Sequence, residues 1–99
     1  MRNWYTKSTE DLCEAILSLQ TKEECCAFLE DICTIKEIQD ISQRLTVAQM
    51  LSQGISYTTI CKETGTSTAT ISRVSKCYEY GAGGYKTVLA RLNKEKKDA

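Results

Sequence analysis

The length of 99 residues favours a single domain with a modest core, since a chain of this size buries roughly two thirds of the surface that its unfolded form exposes. Proline is absent and only 5 glycines are present, so the composition favours helices over strands. No apolar run is long enough to span a bilayer, and the N-terminal residues lack the apolar core of a signal peptide. We therefore expect a cytoplasmic protein with no membrane partner.

The side-chain chemistry argues against catalysis. Histidine is absent and no C-x-x-C pair occurs, which removes the usual zinc spacings and any Cys-His nucleophile. Neither a pair of carboxylates with catalytic spacing nor a glycine-rich phosphate-binding motif is present. We expect a protein that is not an enzyme and that needs no metal or other cofactor. Most of the 6 cysteines fall on apolar helical positions, where we expect buried, reduced thiols.

The charge of the chain is unevenly distributed, although its net value is zero. Residues 1–55 carry 5 Lys/Arg against 9 Asp/Glu, which gives a net charge of −4. Residues 56–99 carry 8 Lys/Arg against 4 Asp/Glu, which gives +4. The second half is therefore the part suited to a polyanionic partner.

Two short helices are predicted at the start of the chain. The first begins after Ser8, with Asp11 as its capping partner, and ends near Gln20. Thr21 and Glu24 then form a capping box that starts the second helix. Its buried positions are predicted to be Cys25, Phe28, Leu29 and Ile32.

A third capping box, Thr34 and Glu37, opens a long helix that is predicted to end near Gln53. At 1.5 Å per residue this helix would be about 30 Å long. Its apolar stripe consists of Ile38, Ile41, Leu45, Ala48 and Leu51. Three helices with such stripes cannot all bury their apolar faces in so short a chain, so residues 1–55 are predicted to be the dimerisation helices of a homodimer.

Residues 56–80 are predicted to form a helix-turn-helix. Ser56 caps a short helix that ends near residue 64, Gly65 provides the left-handed turn, and Ser67 caps a second helix that ends near Tyr80. "GAGG" (81–84) then ends that helix. Residues 81–99 are predicted to supply a C-terminal helix followed by a solvated, charged tail, "NKEKKDA". The apolar positions of the C-terminal helix are Tyr85, Val88, Leu89 and Leu92.

The apolar spacing within the predicted helix-turn-helix supports this interpretation. Ile60 and the small Cys61 precede the glycine, while Ile71 and Val74 follow it, three residues apart on one face. The opposite face carries small hydroxyl side chains that can bond either base type in a major groove, and methyl groups that can contact thymine. The candidate DNA-binding residues are Ser67, Thr68, Ala69, Thr70, Ser72, Arg73, Lys76 and, on the first helix, Thr58. The alternative is a protein-interaction module that docks on the transcription machinery.

Residues 34–80 resemble the Trp repressor family, and the chain as a whole resembles most closely its YerC/YecD group. "TIKEIQDISQRLTVAQMLSQGIS" resembles the long third helix of the family, and residues 69–73 match a family A-T-I-[ST]-R pattern in the reading helix. The resemblance implies an all-α, six-helix fold and an intertwined homodimer. It also implies a bacterial transcription regulator, a repressor whose two reading helices enter successive major grooves of a palindromic operator, about 34 Å apart.

The resemblance further implies a ligand pocket, because tryptophan-sensing members hold the indole between two arginines. Arg73 matches the arginine of the reading helix, and Thr70 matches a pocket threonine. Arg44 matches the arginine of the long helix if one residue is missing from the turn near Gly54; without that gap, Gln43 takes the position.

Two positions of this pocket depart from the tryptophan-sensing pattern. Val74 replaces a glycine, and Cys77 replaces a serine. An isopropyl group at position 74 should occupy space that the ligand needs, and overpacking of this kind disfavours binding by roughly 1 to 3 kcal/mol. We therefore expect no tryptophan corepressor, while a different anionic effector could still use Arg44, Thr70 and Arg73.

Overall fold

The structure is a computed structural model that describes the backbone of residues 2–98 and the side chains of residues 2–95. Residues 2–98 contain no strand and form six helices: α1 (Lys7–Leu17), α2 (Lys22–Ile32), α3 (Ile35–Ser52), α4 (Tyr57–Thr64), α5 (Thr68–Tyr80) and α6 (Gly84–Asp98). The predicted all-α, six-helix class is confirmed. Over the same residues, no helix has both the length and the apolar character needed to cross a bilayer.

The chain divides into two compact units, one ending at Ile38 and the other beginning at Gln39. The first unit contains α1, α2 and the first turn of α3. The second contains the rest of α3 and all of α4, α5 and α6. The buried apolar core lies in the second unit and consists of Val47, Ala48, Ile60, Ile71, Val74 and Leu89.

The predicted start of α1 is wrong, because a different pair of residues caps the helix. Thr6 is the N-cap: its Oγ1 accepts from the amide of Thr9, and the amide of Thr6 donates back to Thr9 Oγ1, both at 3.3 Å. A second threonine thus takes the place of the Glu or Gln of the usual capping box. Asp11 instead forms an ion pair with Lys7 at 2.9 Å. The helix ends at Leu17 rather than near Gln20.

The predicted start of α2 is confirmed, but the predicted burial of its apolar face is wrong. Thr21 Oγ1 accepts from the amide of Glu24 at 3.1 Å, and the Glu24 carboxylate accepts from the amide of Gln20 at 2.9 Å. None of the residues described in α1 and α2 is buried. Phe28 is half-buried, whereas Cys25, Leu29 and Ile32 are exposed. Two short helices offer too little surface to enclose a core of their own.

The cysteines likewise differ from the expectation of burial. All six are free thiols in the structure, and four of them, Cys13, Cys25, Cys26 and Cys77, are exposed. Cys33 and Cys61 are half-buried. No group of three potential metal ligands occurs among the described residues. Apolar spacing correctly marks one face of a helix, but it does not say whether the same chain covers that face.

The long helix α3 begins and ends as predicted. The hydroxyl of Thr34 accepts from the amide of Glu37 at 3.1 Å, and the Glu37 carboxylate accepts from the amide of Thr34 at 2.8 Å, which completes a reciprocal capping box. Gly54, two residues after the helix, has φ +78°. On the predicted apolar stripe, Ala48 is fully buried, whereas Ile41 is 49% exposed.

The C-terminal helix α6 packs against α5. Leu89 is buried in the core, and the ammonium group of Lys86 lies 5.5 Å from the centre of the Tyr78 ring, at the distance of a cation–π contact. Val88 and Leu92, on the same predicted apolar face, are exposed. The helical backbone continues to Asp98, so the predicted frayed tail is helical to that residue. The side chains of residues 96–98 and residue 99 lie outside the described residues.

Candidate nucleic-acid interface

The helix α4 is bounded by the two residues that the sequence predicts. The hydroxyl of Ser56 accepts from the amide of Thr59 at 3.3 Å and so occupies one of the free donors of the first turn. The helix ends at Gly65, which has φ +72° and ψ +8° and whose amide donates to the carbonyl of Cys61 at 2.9 Å. Only glycine adopts this left-handed conformation without a steric penalty, so the chain turns sharply at residue 65.

Three residues separate the end of α4 from the start of the helix α5. Ser67 is its N-cap, with the hydroxyl oxygen 3.2 Å from the amide nitrogen of Thr70, which donates to it. The intervening segment therefore consists of residues 65–67 alone. Two short helices joined by a three-residue turn that contains glycine have the order and turn length of a helix-turn-helix.

Apolar residues join α4 to α5 on one side only. Ile60 of α4 and Ile71 of α5 are fully buried, and Val74, one turn further along α5, is 3% exposed. The two helices are in contact. Burial of these three side chains fixes which face of α5 points inward, as their spacing predicts.

The other face of α5 is open to solvent. Thr70 is half-buried, and the remaining predicted DNA-binding residues are all exposed: Ser67, Thr68, Ala69, Ser72, Arg73, Lys76 and, on α4, Thr58. The first turn of this face carries small side chains, and its cations, Arg73 and Lys76, follow in the second and third turns. The face therefore presents hydroxyl and methyl groups beside two positive charges.

The predicted ligand-pocket residues are not brought together as a set. Arg44 and Cys77 lie on the wall of an open, largely apolar pocket of about 510 Å³, whereas Thr70, Arg73 and Val74 are not among the residues that line it. The full lining is Ile41, Arg44, Leu45, Cys77, Gly81, Ala82, Gly84, Tyr85 and Val88. Val74 belongs to the buried core instead.

The two candidates for the long-helix position lie in different surroundings. Arg44 is exposed and lines the pocket. Gln43 is half-buried, and its side-chain amide donates to the carbonyl of Thr64, the last residue of α4, at 3.4 Å. Arg44 therefore faces an open pocket, whereas Gln43 is hydrogen-bonded to the end of α4.

Sequence reasoning missed a group of polar residues at the turn between α4 and α5. Thr66 is 4% exposed, and its hydroxyl is hydrogen-bonded to that of Thr64 at 2.8 Å. Three threonines in the segment 64–68 look alike in the sequence, and only the packing of the turn separates the buried Thr66 from the exposed Thr68. No local pattern could have made that distinction.

The six-helix fold and the α4–α5 unit together define the class of the protein, that of a Trp-repressor-like protein. Residues 7–93 match the sequence profile of the family described as Trp repressor protein. The chain is 47% identical over 93 residues to the Bacillus subtilis protein YerC, of uncharacterized function, and the match covers 94% of this chain and 89% of that one. The chain therefore belongs to the Trp repressor family, and the predicted likeness to its YerC group is confirmed.

Solved structures agree with this assignment. A crystal structure of a proposed Trp repressor from Staphylococcus aureus superimposes with a TM-score of 0.86 at 47% identity, covering 90% of this chain and 89% of that one. A TrpR-like protein from Eubacterium eligens gives the same TM-score of 0.86 at 49% identity, covering 89% of this chain and 91% of that one. The Trp-repressor-like fold thus rests on both sequence and structure.

Proposed function

We propose that the protein is a sequence-specific DNA-binding transcription regulator, a repressor that binds a palindromic operator as a homodimer through a helix-turn-helix formed by α4 and α5. One observation carries this proposal: α5 buries Ile71 and Val74 while its opposite face exposes small hydroxyl side chains followed by two cations. Such a face is poor for packing against a hydrophobic partner. It is suited to a major groove, which admits one helix and offers donors, acceptors and thymine methyl groups.

Each exposed residue has a role in this proposal. Thr68, Ala69 and Ser72 face base edges, where hydroxyl groups accept or donate and methyl groups contact thymine. Arg73 and Lys76 bind backbone phosphates and supply affinity that does not depend on sequence. The hydroxyl groups of Ser67, Thr70 and Thr58 lie in the first turns of the two helices, where backbone amides also favour phosphate oxygens.

The homodimer is proposed from the apolar surface of the first unit. Ile16 is 51% exposed, Leu17 83% and Ile32 52%, and no residue described in α1 or α2 is buried. A second copy of the chain would cover these faces and would bring a second α5 into the assembly. Two reading helices about 34 Å apart match successive major grooves of a palindromic site.

We expect the regulator to act without tryptophan. Val74, which stands where tryptophan-sensing members have glycine, is buried in the core, and we expect its isopropyl group to occupy space that the indole would need. The separate pocket beside Arg44 favours a second candidate, namely regulation by another small anion with an apolar body. In that case the guanidinium of Arg44 would pair with the anionic group of the ligand, and the aliphatic and glycine residues of the pocket wall would enclose its apolar body.

Selection of genomic fragments by the purified protein, at about 0.15 M salt and with or without tryptophan, tests the proposal. We expect one palindromic motif in both selections. Affinity for that motif should fall as salt rises, and Arg73→Ala should weaken binding to all sequences and lower the slope of the salt dependence by about 1. Ser72→Ala should instead relax the preference at individual base pairs.

A charge-neutral change at an exposed residue of α1, Ser8→Ala, is the matched control and should leave the motif and the affinity unchanged. A motif recovered only with tryptophan would contradict corepressor independence. Failure to enrich any motif, together with a salt-insensitive complex with another protein, would replace the proposal with the protein-docking alternative.

A further inference from the structure

The turn between α4 and α5 contains a circuit of hydrogen bonds centred on one hydroxyl group. The Thr64 hydroxyl donates to the carbonyl of Ile60 at 2.6 Å. It is also hydrogen-bonded to the hydroxyl of Thr66 at 2.8 Å and accepts from the amide of Thr66 at 3.1 Å. A hydroxyl group has one proton, so Thr64 shares it between the carbonyl of Ile60 and the hydroxyl of Thr66 while it accepts from the amide of Thr66.

The Thr66 end of this circuit is shielded from water. Thr66 is 4% exposed and Thr64 is half-buried, and among the described residues no buried side-chain nitrogen or oxygen lacks a partner. Water therefore cannot readily replace a lost partner at Thr66. Removing the central hydroxyl would leave the hydroxyl and the amide of Thr66 unsatisfied, which is more damaging than the loss of an exposed hydrogen bond.

The circuit spans the turn that connects α4 to α5. It starts at Ile60 and Thr64, in the last turns of α4, passes the left-handed Gly65, and ends at Thr66, which is adjacent to the N-cap Ser67 of α5. Apolar contacts hold two helices together without fixing their direction closely, whereas hydrogen bonds depend on both distance and angle. The position of the α5 cap is therefore tied to the end of α4.

A third helix, α3, is hydrogen-bonded to the end of α4. Gln43 of α3 donates its side-chain amide to the carbonyl of Thr64 across 21 positions of sequence. Its length of 3.4 Å makes this a weak hydrogen bond, so most of the constraint comes from the two threonines. The contact nevertheless connects the end of α4 to α3, whose Val47 and Ala48 lie in the core beside Ile60 and Ile71.

We infer that Thr64 and Thr66 are positioning residues that hold α5 in a single orientation, ready to bind DNA, with no small molecule bound. The inference rests on the proposed function, because it takes α5 to be the DNA-reading helix. Neither residue touches DNA: Thr66 is buried, and Thr64 faces the turn. They act through the angle at which α5 leaves α4, and they supply from within the chain the order that a corepressor would otherwise supply.

The test uses the full-length protein and the variants Thr64→Val, Thr66→Val and the double variant. Valine has nearly the shape of threonine without the hydroxyl group. Thr46→Val is the matched control, because Thr46 on α3 also donates its hydroxyl to a carbonyl four residues earlier, that of Ser42, at 3.1 Å, but lies outside the turn. Two quantities are measured: amide hydrogen exchange over residues 65–70 without DNA, and affinity for the selected motif and for unrelated DNA.

We expect Thr64→Val to speed exchange over residues 65–70 and to weaken binding to the motif by about tenfold, the usual consequence of orphaning a buried polar group. Binding to unrelated DNA and the salt dependence should change little, because the phosphate contacts remain. Adding Thr66→Val to Thr64→Val should restore part of the affinity, since it removes the orphaned hydroxyl. Thr66→Ser, which keeps the hydroxyl, should behave as wild type.

The inference would be overturned if amide exchange over residues 65–70 were as slow in Thr64→Val as in the wild type. It would also be overturned if Thr46→Val sped this exchange as much as Thr64→Val does. If the wild-type protein selects no DNA motif, the proposed function fails, yet accelerated exchange in Thr64→Val would still support the positioning role. Should Thr64→Val fail to fold, the comparison of Thr66→Val with Thr66→Ser decides: equal exchange in those two variants would contradict a role for the Thr66 hydroxyl.

Discussion

Glycines in the turns of the second unit are required for two different steric reasons. Gly54 and Gly65 have φ +78° and +72°, a region that side chains with a Cβ rarely occupy. Gly81 has an ordinary φ of −85°, but a Cβ built there would overlap the carbonyl oxygen of Cys77. The overlap is with the backbone of α5, which cannot swing aside as a side-chain tip could.

Replacement of Gly81 by alanine should therefore destabilise the protein. We expect Gly81→Ala to lower the free energy of unfolding by roughly 1 to 3 kcal/mol, as overpacking does. Gly84→Ala is the matched control: a Cβ there meets no atom within 4 Å, and alanine is the better helix former at the start of α6. Urea denaturation at one fixed protein concentration measures both variants, and equal losses would contradict the steric argument.

The burial of Val74 leads to a second prediction at the scale of single residues. We expect titration calorimetry with L-tryptophan to show no binding, because the side chain of Val74 is buried where the family resemblance implies a glycine beside the ligand. Thermal unfolding provides an independent control, since a ligand that binds the folded state raises the melting temperature. A dissociation constant below about 1 mM, accompanied by a raised melting temperature, would refute the prediction.

Helix boundaries were predictable wherever the capping chemistry is local and of the common type. The caps Thr21, Thr34, Ser56 and Ser67 were all predicted correctly, because each acts within three residues of itself. The start of α1 was predicted wrongly because Thr6 and Thr9 cap each other, an unusual pair that competes with the more familiar signal at Ser8. Thr66 and Gln43 could not be predicted, since their roles depend on how separate helices pack.

The cap of α5 allows stability and DNA binding to be separated. Aspartate caps helices as well as serine does, and its charge is favourable at a helix N-terminus. We therefore expect Ser67→Asp to keep the melting temperature while weakening DNA binding at least about tenfold, because the carboxylate would face backbone phosphates. Thr21→Asp makes a similar change at the cap of α2 and should leave DNA binding intact. Retained DNA affinity in Ser67→Asp would place α5 away from the phosphates.

At the scale of the whole molecule, periodicity predicted which faces are apolar but not what covers them. In the second unit, Ala48 of the α3 stripe and Ile60 of α4 are fully buried, whereas Ile41 of the same stripe is 49% exposed. The apolar faces of α1 and α2 are not enclosed by the described chain, which is why Cys25 and Ile32 are exposed against expectation. Burial by another molecule leaves the same sequence pattern as burial by the chain itself.

Assembly can be tested on the exposed face of α1. We expect sedimentation equilibrium to give twice the chain mass of 11.1 kDa, and the melting temperature to rise with protein concentration. Ile16→Glu should weaken association at least about a hundredfold, since it places a charge in an apolar contact. Glu14→Lys changes the charge on the opposite, polar face of α1 and should leave the mass unchanged. A wild-type mass of one chain at micromolar concentration would exclude the proposed homodimer.

Because none of the described residues of α1 and α2 is buried, these helices also bear on how long the protein persists in a cell. Helices with few buried contacts open frequently, and proteases cut segments in proportion to the time that they spend open. An unassembled chain would therefore be degraded faster than an assembled one. Its lifetime would rise with its own concentration, so that synthesis below the level needed for association would yield almost no lasting protein.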